Sequence, residues 1–436
     1  MRIRSRLSWF VVLVVFALVA AACGSDDEGG GDTVSIFGAP TGIEAAGMQQ
    51  VIDEEINAVK DYTATYEGSD SFEEQIKIRV EGGNPPDVAF YPQPGSVVEQ
   101  AEAGNIVALE DLGYSRAELE ATFGAYLLSL GEVDGKYYGL PTNVNLKSTV
   151  WYPEPAFTDA GYVPPTTWDE LVALSDQIVA DGNTPWCIGT GSDANTGWPA
   201  TDWMEDIMLR TAGAAAYDKW VTNELKFSSP EVTRAAELLG DIAFADGYVL
   251  GGFVNIPDID FRDAPDPMFQ DPPACYMHRQ ASFITTFFDA ADGRTLEPLV
   301  DYNVFAFPDI DPGVKGALGG GSMGAVFNDT PAVRDFLRAY TASEVQCAQG
   351  AIEGVGRISP NLGVGADCYS NSILATMAGS INDALKTEGF RFDASDLMPS
   401  SVGSGTFWTA MNEYMRGGPD ALAGVLADVD ASWPDS

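Results

Sequence analysis

Along the first hundred residues, stretches of alternating apolar and polar positions take turns with stretches of helical spacing. Residues 33–37 (TVSIF) alternate and predict a strand. A turn-rich run, 38–42, follows, and 43–60 carries the spacing of a helix. Residues 62–66 predict a second strand, 72–80 a helix, 87–90 a third strand and 97–103 another helix. Strands alternating with helices imply a mostly parallel sheet, with ligands beyond the C-terminal strand ends. Loops 38–44 and 91–95 fall there.

Farther on, 134–140 (DGKYYGL) reads as a hairpin, and 141–145 leads into a strand at 148–152. Residues 164–171 (PPTTWDEL) read as a loop and cap entering a helix that reaches 180. The stretch 186–210 runs from an apolar piece through a polar loop to Trp198-Pro199 and a helix. Thr201 is placed to cap that helix, with Asp202, Glu205 and Asp206 in its first turns. Trp203/Ile207 and Met204/Met208 give it one apolar face, and Gly213 ends it. Residues 230–244 are helical, 251–273 loop-rich, and 281–288 and 303–307 strand-like. Residues 316–327 are Gly-rich and 331–341 helical. The C-terminal third is helical, with 397–405 as a loop before Phe407-Trp408. No internal repeat appears.

The N-terminus is an address. Arg2, Arg4 and Arg6 precede an apolar run from Leu7 to Ala22, then Cys23. That pattern predicts a secretory signal over 1–22, too short for a bilayer-spanning helix. Cys23 after Ala21-Ala22 fits a lipobox, with Ala20 where Leu is commonest, so lipidation at Cys23 is expected. Residues 23–32 (CGSDDEGGGD) read as a flexible tether.

Composition narrows the partners. The chain has 64 acids against 23 Lys and Arg. Cleavage removes three arginines and no acids, taking the formal charge from −41 to −44. Such a surface disfavours nucleic acid and anionic ligands. The length suggests two or more packed units. Four cysteines remain, Cys187, Cys275, Cys347 and Cys368, and they admit three pairings. Joining Cys347 to Cys368 would close a short loop, worth about 3 kcal/mol in the chain-entropy model.

Catalytic and metal motifs are sparse. His278 is the single histidine, which argues against a histidine-based metal site or Ser-His-Asp triad. Gly319–Ser322 lacks the Lys-Ser/Thr ending of a phosphate loop, so backbone packing, or N–H groups lining a cleft, is the better reading. No cofactor or metal is expected. Carboxylates are too numerous for any pair to mark a glycosidase. Tyr91, Trp151, Trp198, Phe287, Phe288 and Trp408 lie in loops or at element ends. Each alone reads as core; several converging on one cleft would form stacking platforms for sugar rings.

EGGNPPDV, DGKYYGLP and PPTTWDEL resemble family 1 extracellular solute-binding proteins of sugar ABC transporters. TPWCIGTGSDANTGWPATDWMEDIMLR, CYMHRQASF, FRFDASDLMP and GTFWTAMNEYMRGG resemble their alpha-glucoside-binding branch. The resemblance implies the maltose-binding-protein fold: α/β, two-lobed and periplasmic-binding-protein-like (type II), with three crossing strands. The crossings are expected near 141–147, 305–309 and 354–360. One lobe would then be 33–140 plus 308–353, and the other 141–307 plus 354–436. By position the resemblance implies sugar contacts from Glu44, Tyr91, Trp198, Phe287, Phe288 and Trp408. Asn143, Asn145, Asp202, the Gly320 backbone and Arg357 are further hydroxyl partners. Cys187 and Cys275 both lie in branch motifs, which favours Cys187–Cys275 and Cys347–Cys368. The implied protein is a monomeric, membrane-anchored binder without catalysis, delivering an alpha-glucoside or related oligosaccharide to a permease. The alternatives are a surface glycoside hydrolase and a binder of another neutral solute such as a polyol.

Overall fold

The expected strand–helix alternation is present in the computed structural model, which describes residues 32–290, 293–387 and 389–434. The signal, Cys23 and all of the tether but Asp32 lie outside the described residues. Eleven strands occur among the described residues. The first three are β1 (Thr33–Gly38), β2 (Thr63–Gly68) and β3 (Val88–Tyr91). A hairpin follows, β4 (Glu132–Val133) with β5 (Lys136–Tyr137), then β6 (Leu140–Leu146) and β7 (Thr149–Pro153). The remainder are β8 (His278–Arg279), β9 (Tyr302–Ala306), β10 (Ala317–Val326) and β11 (Phe390–Phe392). β1 lies parallel to β2 and β3, and β10 joins this sheet antiparallel to β3. β10 also pairs β6 antiparallel and β11 parallel. β8, β7 and β9 form a separate antiparallel sheet.

The two lobes have separate cores. Val34, Ile36, Val88, Val326 and Tyr340 pack in one; Val150, Trp186, Met204, Leu318 and Tyr414 pack in a larger one. β10 therefore begins in the larger core at Leu318 and ends in the smaller at Val326. β6 is paired along it, and Val144 of β6 bridges Ile358. Three chain segments thus run side by side between the lobes. Phe305 and Phe307, near an expected crossing, both pack inside the larger core, and β10 makes the passage instead.

Local signals explain the elements that matter here. Thr167 and Glu170 form a capping box at the start of the Trp168–Ala180 helix. Both favoured disulfides form, Cys187–Cys275 and Cys347–Cys368, with Cα separations of 5.6 and 4.8 Å.

Five expectations change. The helix in 186–210 spans Trp198–Thr211 and starts from Gly197 at φ 118. Thr201 is inside it, donating to the Trp198 carbonyl at 2.9 Å, and caps nothing. Nor does this helix have one apolar face, because every residue from Pro199 to Arg210 is buried. It runs through the larger core, so its acids meet buried cations rather than solvent. Residues 282–287, expected as strand, form a 3-10 turn; β8 and β9 already occupy both edges of β7. The Gly-rich run is the ten-residue strand β10. Within 397–405, expected as loop, Ser401 opens a wide helical turn, Ser401–Phe407, entering the Trp408–Gly417 helix.

His278 sits at the Cys187–Cys275 disulfide, its Nδ1 2.8 Å from the Cys187 carbonyl oxygen. Burial pushes its pKa down to about 4. Between about pH 6.5 and 4 the unfolded chain takes up a proton that the folded His278 refuses, so stability falls as the pH drops through that window. His278→Asn removes this contribution. The difference in unfolding free energy between wild type and variant, from urea titrations, is expected to change by up to about 3 kcal/mol from pH 7 to pH 4. A pH-independent difference contradicts a neutral buried imidazole.

Candidate functional site

A cleft of about 1080 Å³, counting its open mouth, lies between the lobes. Its floor is the β6–β10 pair. Asn143 and Asn145 alternate along β6 and both face the cleft, opposite Ser322 and Gly320 in register. A Cβ at Gly321 would lie 2.3 Å from the Asn143 carbonyl oxygen, so glycine is what lets β10 approach. Gly356 and Arg357 complete the floor from the segment beside β6.

One wall comes from the loops after β1, β2 and β3, as the topology predicts: Thr41 and Glu44, Asp70 and Glu73, Pro92 and Gln93. The other wall carries the aromatic rings Trp198, Phe261, Phe283 and Trp408. Trp198 meets Phe261 edge-on at 4.9 Å between centroids, and Phe283 at 6.1 Å. Phe261 and Trp198 belong to the loop closed by Cys187–Cys275, which holds the two stretches together. Gly197 brings the tryptophans side by side. A Cβ there would lie 2.2 Å from the Trp408 carbonyl oxygen.

Behind the aromatic wall is a buried charge cluster. Lys147 Nζ lies 2.8 Å from Asp202 Oδ1 and 2.5 Å from Asp393 Oδ2. Arg279 approaches Asp202 at 3.4 Å and Asp206 at 3.1 Å, and Arg210 also pairs with Asp206. Asp393 Oδ1 accepts from Ser395 Oγ at 2.7 Å and from Asp396 N at 2.9 Å. Ser395 Oγ in turn accepts from Trp408 Nε1 at 3.1 Å. The Lys147 ammonium holds the Asp393 carboxyl below the usual carboxylate range. Burial pushes Glu205 and Asp396 well above it. Asp202, Glu205 and Asp393 lie close enough to hold a cation, with ligand atoms within 4.8 Å of one another. The Lys147 ammonium already sits between two of them and does that work.

The walls touch across the mouth. Arg262 reaches Asp70 at 2.6 Å, and Asn195 Nδ2 donates to Glu73 Oε2 at 2.8 Å. Glu44 makes no side-chain hydrogen bond among the described residues, and burial lifts its pKa to about 7 against the pull of Arg357 and Arg262. Arg357 is engaged elsewhere, donating to Gln349 Oε1 at 2.9 Å and the Thr142 carbonyl at 3.4 Å.

Six of the eleven residues expected at the site line this cleft: Glu44, Asn143, Asn145, Trp198, Arg357 and Trp408. Five do not. Tyr91 is 2% exposed against Phe72, because β3 is buried on both faces. Asp202 is fully buried on Lys147. Phe287 stands behind Phe261 and Phe283; Phe288 packs on Trp151 and Tyr302. Gly320 is covered by Lys147, whose Cε would lie 2.6 Å from a Cβ there. Trp151 is core, its indole N–H donating to the Gln280 carbonyl at 2.9 Å. The residues not foreseen are chiefly Phe261, Arg262, Phe283, Lys147 and Asp396. Two signals were available: Phe283 ends the motif CYMHRQASF, and Asp396 lies in FRFDASDLMP.

A family model described as bacterial extracellular solute-binding protein matches residues 39–346. The chain is 38% identical over 414 residues to the alpha-glucosides-binding periplasmic protein AglE of Rhizobium meliloti, covering 92% of this chain and 87% of AglE. It is 36% identical over 433 residues to the osmoprotective compounds-binding protein GgtB of Synechocystis, covering 97% and 98%. Among solved structures, the bacterial solute receptor AcbH aligns with a TM-score of 0.77 at 17% identity, over 92% of this chain and 98% of that one. Maltose-bound MalE3 of T. maritima aligns with a TM-score of 0.69 at 14% identity, over 92% and 99%.

Lys147→Met would leave Asp202 and Asp393 buried with no cation between them. The expected loss is about 3–5 kcal/mol of unfolding free energy, read from urea unfolding. A loss below about 1 kcal/mol would mean that the ammonium does not hold this wall.

Proposed function

Because this chain belongs to the bacterial extracellular solute-binding protein family, a family of binders rather than enzymes, we propose that its cleft captures an alpha-glucoside or a related small oligosaccharide for an ABC transporter. The observation that carries this reading is the pairing of two tryptophans and two phenylalanines on one wall with Glu44, Asn143 and Asn145 across and below them. Flat apolar faces suit the C–H surface of a pyranose, and fixed polar atoms suit its hydroxyls. The identity to an alpha-glucoside binder supports the linkage. A hydrolase has no support from the family. A second reading, a polyol-like osmoprotective solute, is favoured by the similarity to GgtB over nearly the whole of both chains.

In this proposal the lobes close by hinge motion about β6, β10 and 354–358. Of the lobe limits expected from the resemblance, 33–140 plus 308–353 and 141–307 plus 354–436, the one at 307/308 moves into β10, because Phe307 and Leu318 still pack in the larger core. Ligand touching both walls binds the closed form better and shifts the population to it. Arg262–Asp70 and Asn195–Glu73 then latch the mouth. The closed monomer docks on the permease, and a lipid on Cys23 keeps it at the membrane. No helix of the described residues is long and apolar enough to cross a membrane.

A thermal-shift panel of trehalose, maltose, sucrose, cellobiose and polyols tests the ligand. Alpha-linked disaccharides are expected to stabilise the protein by about 2.7 kcal/mol at a hundredfold excess over Kd, with a smaller radius of gyration in X-ray scattering. Shifts from cellobiose alone, or from polyols alone, would displace the alpha-glucoside.

Glu44 gives a pH signature. A hydroxyl donating to its carboxyl favours the ionised form, so binding expels a proton below about pH 7. Affinity is expected to rise with pH and level off above 7, and Glu44→Gln to flatten the profile, by calorimetry. An affinity that falls with rising pH would remove Glu44 as the acceptor.

A further inference from the structure

On the aromatic side of the cleft, as at Glu44 on the other side, a carboxyl lines the cavity without a hydrogen bond from the protein to its oxygens among the described residues. Asp396 is 7% exposed and lines the cleft from the short Ala394–Leu397 helix. Its backbone N–H is used, donating to Asp393 Oδ1. Neither of its carboxyl oxygens receives a hydrogen bond among the described residues. The charged groups around it are Asp393, Asp202 and Glu73 on the acidic side and Lys147 on the basic side. Lys147 is already shared between Asp202 and Asp393. Glu73, from the opposite wall, is held by the amides of Gln93 at 3.2 Å and Asn195 at 2.8 Å, so Asp396 is left over. Its oxygens are not among the enclosed unpartnered atoms, so they open to the cleft, where a group from outside the fold can complete them.

Position says what completes it. Ser395, the residue before, accepts the indole N–H of Trp408. Asp396 therefore sits on the same short helix that fixes the Trp408 ring, beside the place where a pyranose would stack. We propose that Asp396 is a ligand-binding residue, its carboxyl accepting a hydroxyl of the sugar ring that rests on Trp408. This rests on the sugar-binding reading above. It adds a hydroxyl-specific contact on the aromatic wall, facing Glu44 on the other side. The surrounding acids favour a ligand that brings donors, and they repel an anion.

The test combines stability without ligand and affinity with it. The sugar found in the panel is titrated calorimetrically into wild type, Asp396→Ala and Asp396→Asn. Asp396→Ala is expected to weaken Kd by about 5- to 100-fold, the range for leaving a buried hydroxyl without its acceptor; Asp396→Asn, which keeps one acceptor, weakens it less. Without ligand, both variants are expected to melt at or above the wild-type Tm, because an unsatisfied carboxyl has been removed. One monodeoxy analogue should weaken wild type by a similar factor and add little to Asp396→Ala. A Kd for Asp396→Ala within threefold of wild type overturns the assignment. So does a lowered Tm with an affinity loss that no monodeoxy analogue reproduces, which marks a structural carboxyl. If Asp396→Ala does not fold, Asp396→Asn carries the same threefold limit. If no sugar or polyol binds the wild type, the sugar-binding reading falls and takes the assignment with it. A sugar bound equally well by all three proteins removes the assignment alone.

Discussion

The ammonium of Lys147 is the constraint on which the cleft depends. It stands one residue beyond β6, and its two carboxylate partners come from far along the chain, Asp202 at a separation of 55 residues and Asp393 at 246. One buried cation thus joins the strand between the lobes, the helix that begins with Trp198, and the segment that carries Asp396. The relay from Asp393 through Ser395 to the Trp408 indole extends the same fixation to the second tryptophan. A buried ion pair adds little net stability, but breaking it is costly. Its value here is placement: two aromatic rings and a carboxyl are set on one wall by a single charge.

Charge is also what selects the ligand chemistry. Five acids (Asp202, Glu205, Asp206, Asp393 and Asp396) share three buried cations, Lys147, Arg210 and Arg279. The excess cannot all ionise in a low-dielectric interior, so Glu205 and Asp396 are pushed toward neutrality. The acidity of the composition thus reaches into the site itself. A wall built in this way offers acceptors, and it pairs with the flat faces of the rings to suit a hydroxyl-rich solute.

Much of the fold was legible because its signals are local. The alternation in 33–37 and 62–66, the capping box at Thr167 and Glu170, and the loops after β1 and β3 all appear where the pattern put them. The helix after Trp198 was legible in extent but not in environment. Its acids look like ordinary first-turn residues, and only the fold shows that Lys147 and Arg279 meet them in the core. Residues 281–288 have strand-like composition, yet the edges of β7 were already taken. The glycines of 319–321 hid a strand because their reason is close approach to Asn143 and Lys147.

The sequence by itself determined the strand–helix order and the family; it left three cysteine pairings open, and the resemblance favoured the two that the structure forms. It also placed Glu44, Asn143, Asn145, Trp198, Arg357 and Trp408 among the candidates. Only the tertiary structure decided which side chains face the cleft: Phe283 rather than Phe287, and Asp396 rather than Asp202. Periodicity and capping act over a few residues, whereas the facing of a side chain depends on elements that arrive from a hundred or more residues away. Lys147 is the clearest case. Nothing near it in sequence distinguishes it, and its role exists only where Asp202 and Asp393 converge on it.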